Sequence, residues 1–148
     1  MAFLKAFVAG FVSTLVFHQG LLTLLYLSGA FPRAPYDMTA VGPLGIPAVV
    51  SQACWAGVWA MALWPLMRHA AGAAYWLRAF LLGAIAPSAV GLFIIAPLKG
   101  APIAAGWDPK LIVGTLILNG TWGAGMALLM RSMHAAVAGG ASSHGAQG

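Results

Sequence analysis

Four apolar runs dominate the sequence, each roughly as long as the ~20-residue helix that a ~30 Å bilayer core requires. Lipid offers the backbone no hydrogen-bond partners, so a chain that crosses it must satisfy its own N–H and C=O groups within a helix. The runs extend from about Phe3 to Leu27, Ile46 to Met67, Leu77 to Ala96 and Leu111 to Met130. Each ends in turn chemistry. Phe31-Pro32-Arg33-Ala34-Pro35 closes the first and Arg68-His69 with Gly72 the second; Pro97-Leu98-Lys99-Gly100 through Asp108-Pro109-Lys110 separates the third from the fourth. Trp64, Tyr75, Trp76 and Trp107 fall near the ends of the runs, where aromatic side chains anchor at the lipid headgroups. The first run exceeds the apolar core of a secretory signal, about 7–15 residues, and reads as a span.

Composition excludes the soluble alternative. With 61% hydrophobic and 6% charged residues, a water-facing surface cannot be built. Asp37 and Asp108 are the only carboxylate side chains, so the net charge of +5 reflects a shortage of acids. The seven Lys and Arg are scattered singly and form no basic stripe, which points to lipid headgroups as the partner and away from nucleic acid. The expected architecture is an all-α integral membrane protein with four transmembrane helices in residues 1–134. Residues 135–148, rich in Ala, Gly and Ser, are expected to be a disordered tail.

The two halves echo each other. Leu4-Lys5-Ala6-Phe7 with Gly10 matches Leu77-Arg78-Ala79-Phe80 with Gly83. Gln52 stands three residues before Trp55 as Asn119 does before Trp122, and Met61-Ala62-Leu63 matches Met126-Ala127-Leu128. This pattern suggests two tandem helical hairpins related about the membrane normal, with Gln52 and Asn119 facing the axis at matching depths. Small residues on spans two, three and four (Gly57, Gly83, Gly91, Gly120, Gly123) suit close helix approach, and Pro87 is expected to kink span three unless a neighbour satisfies the carbonyl it frees. Lys5, Arg68, Arg78 and Arg131 lie on the N-terminal side against Arg33, Lys99 and Lys110 on the other, a bias that puts both termini in the cytoplasm.

Polar residues within the spans are the places to look for function. His18 and Gln19 lie in the middle of span one, where a polar side chain faces the bundle interior or a cavity. The structural reading is a hydrogen bond from His18 to Gln52, Asn119 or a backbone carbonyl; the functional one is a polar site formed by His18, Gln19, Gln52 and Asn119. Trp55, Trp59 and Trp122 are candidate aromatic contacts for a quinone or lipid tail, with core packing the alternative. One intramembrane His supplies one axial haem ligand, so haem or quinone is a minor reading and no cofactor is expected. No His, Cys and carboxylate spacing suggests a metal site, Cys54 has no partner cysteine, and no activated nucleophile is recognisable. Small four-span proton-coupled exporters rely on a membrane carboxylate, and no span here contains one. The loop from Phe31 to Pro47, stiffened by Pro32, Pro35, Pro43 and Pro47, suits docking or lidding as well as plain connection.

Phe17-His18-Gln19-Gly20, Pro32-Arg33-Ala34-Pro35-Tyr36, Pro43-Leu44-Gly45-Ile46-Pro47 and Trp55-Ala56-Gly57-Val58-Trp59 together resemble a group of small uncharacterised bacterial inner-membrane proteins. The resemblance covers mainly the first half. It implies a four-span fold in the bacterial inner membrane and no mechanism. The functional expectation is a non-enzymatic component of a membrane assembly, as a homo-oligomer or within a larger complex. The alternatives are a small-solute or lipid carrier with a polar cavity at His18, and a haem- or quinone-binding redox subunit.

Overall fold

The computed structural model describes the backbone of residues 1–144 and the side chains through His134. Its helices are α1 (Ala2–Leu27), α2 (Ala48–Met67), α3 (Gly72–Leu98) and α4 (Pro109–His144). All four are long and apolar enough to cross a membrane, α4 over Pro109–His134. Of the tail expected from 135 onward, the side chains, and for 145–148 also the backbone, lie outside the described residues.

The boundaries follow local chemistry. Helix α2 begins at Ala48, later than the apolar run, because Ile46–Pro47 forms a short strand (β2) paired antiparallel with Ala40–Val41 (β1). Helix α3 begins at Gly72, five residues before the expected Leu77. Ala73 and Ala74 are strong helix formers but weakly apolar, so hydropathy registers the helix late. The helix also runs through Pro87, and a wide π-helical segment follows at once over Gly91–Ile95. A second π segment, Thr14–His18, interrupts α1.

Around the bundle the order is α2, α1, α4, α3, with α2 and α3 closing the ring more loosely. Close approach explains the tight pairs. A Cβ on Gly10 would stand 2.5 Å from Ala60 Cβ and 2.7 Å from the Ala56 carbonyl oxygen, so α1 meets α2 almost backbone to backbone. Likewise, a Cβ on Gly83 would stand 2.8 Å from Gly123 Cα and 2.9 Å from the Asn119 carbonyl oxygen, joining α3 to α4. Phenylalanine rings fill the space that other glycines leave: Phe7 lies on Gly57, Phe17 on Gly125, Phe31 on Gly114 and Phe80 on Gly120. In a membrane, such van der Waals contact and interhelical hydrogen bonds would hold the helices together, because apolar burial there gains nothing over contact with lipid tails. Gly91, by contrast, has no neighbour within 4 Å of a built Cβ, so the small-residue face of α3 packs on α4 at Ala79, Gly83 and Ser88 and leaves Gly91 out of the contact.

A reciprocal pair of hydrogen bonds joins α1 to α4. Trp122 Nε1–H donates to the Gly10 carbonyl at 2.9 Å, and Ser13 Oγ–H donates to the Trp122 carbonyl at 2.7 Å. At one end of the bundle Lys5 Nζ reaches the Met133 carbonyl at 3.4 Å, so the start of α1 and the last described side chains of α4 share a side. Asp37 and Asp108 lie in the connections at the opposite end. There, Ala104, Ala105, Gly106 and Trp107 all have positive φ and form a left-handed turn, a conformation that costs a non-glycine residue roughly 1–2 kcal/mol. The turn lays Trp107 edge-on against Phe93 of α3, with centroids 6.1 Å apart. Large apolar side chains including Val16, Trp55, Leu81, Ile85 and Ile117 point outward all around the bundle.

Candidate functional site

The π segment of α1 sets the site. A π turn widens the helix and displaces its carbonyls from the α-helical ladder, and such turns cluster at functional positions. Here the Leu15 carbonyl accepts a hydrogen bond from Tyr36 Oη at 2.9 Å, while the Tyr36 backbone N–H donates to Gln19 Oε1 at 2.8 Å. Tyr36 follows Pro35 and sits at φ 51, a left-handed conformation for a bulky residue. Its two hydrogen bonds to α1 hold it there and fold the loop down along the helix.

The chain of contacts continues inward. Gln19 Nε2 donates to Gln52 Oε1 at 3.2 Å, and Gln52 Nε2 lies 3.5 Å from His18 Nε2. One fixed donor orients every group in this series. A backbone N–H can only donate, so Gln19 presents Oε1 to Tyr36 and therefore Nε2 to Gln52. Gln52 then presents Oε1 to Gln19 and Nε2 to His18, and His18 Nε2 must accept. The neutral ring consequently carries its proton on Nδ1. That atom is buried and has no hydrogen-bond partner among the described residues. A buried donor of this kind normally finds a protein or water partner.

The sequence-derived candidates divide in two. His18 and Gln19 are buried, and Gln52, exposed at the outer edge of α2, joins them. Asn119 does not: its Nδ2 donates to Ser88 Oγ at 2.9 Å, tying α4 to α3. Gln52 and Asn119 therefore do not face a shared axis, since α2 and α4 lie diagonally across the ring. Thr14, on the same face as His18 by spacing, bonds back to the Gly10 carbonyl at 3.1 Å. The tryptophans also separate. Trp55 is 66% exposed on the outer face of α2, Trp59 is half-buried, and Trp122 is buried between α1 and α4 with its N–H on Gly10.

Tyr36 is the member that sequence reasoning missed as a site residue. Its Pro-rich setting marks an unusual loop, but nothing local shows a bond back to residues 15 and 19. In the same loop Asp37 Oδ1 accepts the Thr39 N–H at 2.9 Å. Hydrogen bonds from Thr39, through its hydroxyl and its N–H, hold the Asp37 carboxyl below the usual range, and Arg33 adds to the effect. Among the described residues, no group of three or more His, Cys, Asp or Glu converges. No protein-family model, curated protein or solved structure matches this chain.

Proposed function

We propose that this chain is a bacterial inner-membrane protein with both termini in the cytoplasm, acting as a non-enzymatic structural component of a membrane assembly. The observation that carries this reading is the hydrogen-bonded series from Tyr36 through Gln19 and Gln52 to His18. The polar side chains of α1 and α2 engage one another and pin the loop over residues 28–47, as a scaffold that presents a fixed surface requires. The glycine contacts at Gly10, Gly57, Gly83, Gly120 and Gly123 are filled within the chain, so a partner or second copy would meet the outer apolar faces. Matching contacts also favour duplicated hairpins. Gly10 meets Ala56, which follows Trp55, and Gly83 meets Gly123, which follows Trp122. The reading predicts that His18→Gln, which keeps an acceptor for Gln52, preserves assembly into the native complex on blue-native gels. Loss of the complex in His18→Gln with the monomer still folded would argue against a purely structural His18.

The unpartnered His18 Nδ1 favours a second reading, a carrier for a small solute or lipid that accepts a hydrogen bond from this ring. That reading requires flux of the solute into reconstituted vesicles and its abolition by His18→Ala. Flux unchanged in the variant removes it.

A further inference from the structure

Away from His18, on the N-terminal side of the bundle, an open cleft of about 370 Å³ lies where α2 ends and α3 begins, beside Arg131 and His134 of α4. It is lined by Trp64, Arg68, Ala70, Tyr75, Arg131 and His134 and falls within the ~300–1,000 Å³ range of small-ligand sites. Its walls are fixed. Tyr75 Oη donates to the Ala127 carbonyl at 2.9 Å, and the rings of Trp64 and His134 stack with centroids 5.9 Å apart at 19°. The Arg131 guanidinium carbon lies 5.3 Å from the Tyr75 ring centroid and 5.6 Å from that of Trp76. Stacking on ring faces holds the guanidinium in place and leaves its N–H edges free for bidentate bonding.

The charge in this cleft has no counterpart in the chain's side chains. Both carboxylates, Asp37 and Asp108, are in connections at the opposite end of the bundle. Among the described residues neither the Arg68 nor the Arg131 guanidinium donates a hydrogen bond. Two unneutralised guanidiniums beside an indole and a phenol, at the depth where the helices end, match a phosphate whose acyl chains continue down the apolar outer face. We propose that this cleft binds the phosphate of an anionic phospholipid, with Arg68 and Arg131 bonding its oxygens and Trp64 and Tyr75 framing the headgroup.

This inference rests on the membrane reading, so its test begins with alkaline carbonate extraction of host membranes. Release of the chain would overturn the membrane reading itself, whereas retention leaves the cleft as the sole issue. The full chain is then placed in mixed micelles of phosphatidylglycerol and phosphatidylcholine, and bound lipid is counted by native mass spectrometry. Phosphatidylglycerol is expected to be retained preferentially. Retention falls about tenfold or more in Arg68→Gln/Arg131→Gln and stays at the wild-type level in Arg78→Gln, a basic residue on the same side that does not line the cleft. Arg131→Lys, which keeps the charge and the fold but loses the planar fork, is expected to fall between them. Equal retention of the two lipids, or equal loss in Arg78→Gln, would overturn the site. Binding of inorganic phosphate without any lipid preference would assign the cleft to a soluble phosphate and overturn the lipid.

Discussion

Gly83→Ala tests the helix contact on which the bundle depends. The added methyl would stand 2.8 Å from Gly123 Cα, 2.9 Å from the Asn119 oxygen and 3.2 Å from Gly123 N, all backbone atoms that cannot rotate aside. Ordinary contact starts at 3.4 Å, so α3 and α4 must part locally by about 0.6 Å, and overpacking of this kind costs about 1–3 kcal/mol. Alanine also returns about 1 kcal/mol of helix propensity, which would mask part of the loss. Gly20→Ala supplies the control, because a Cβ there meets nothing within 4 Å and only the propensity term remains. The difference between the two variants isolates the clash. At about 2–4 °C per kcal/mol for a chain of this size, Gly83→Ala should melt roughly 5 °C below Gly20→Ala in detergent, followed by tryptophan fluorescence. Equal melting temperatures would refute the backbone contact between α3 and α4.

Tyr36→Phe removes the bond to Leu15 and should cost about 0.5–1.5 kcal/mol, seen as faster hydrogen exchange in residues 31–47 with the rest of the bundle unchanged. Trp122→Phe leaves the Gly10 carbonyl without its indole donor and should destabilise the chain by about 1 kcal/mol or more in thermal unfolding. Nitrogen-15 spectra of the folded protein should show His18 protonated at Nδ1, and an Nε2–H tautomer would break the donor order traced from Tyr36. Because the folded Asp37 carboxyl titrates below its ordinary value, its contribution is complete above about pH 4 and fades as pH falls through the lowered folded value. Exchange of the Thr39 amide should therefore be protected at pH 6 and lose that protection as the pH falls below the ordinary carboxylate value of about 4, after correction for intrinsic rates.

Much of the fold was legible in the sequence because each of the four long helices is written as a long apolar run bounded by Pro, Gly or charge. The spans at Phe3–Leu27 and Ile46–Met67 differ from the helices by one or two residues. The glycine contacts at Gly83 and Gly123 also followed from residue size. What escaped the sequence depends on distance along the chain. The π turns have no local signature, and the Trp122 bond to Gly10 depends on α4 lying beside α1, which no periodicity encodes. Of the candidate site, His18, Gln19 and Gln52 come together while Asn119 pairs with Ser88, because the ring order sets α2 and α4 apart. Tyr36 entered through a left-handed backbone angle and a bond spanning seventeen residues.

The most direct test of the structural reading is native mass spectrometry of the protein released gently from its host membrane, wild type beside His18→Ala. The same stoichiometry is expected in both, with any retained lipid depending on Arg68 and Arg131 and independent of His18. A small ligand carried by the wild type and lost in His18→Ala would contradict the structural reading and make His18 the centre of a binding site.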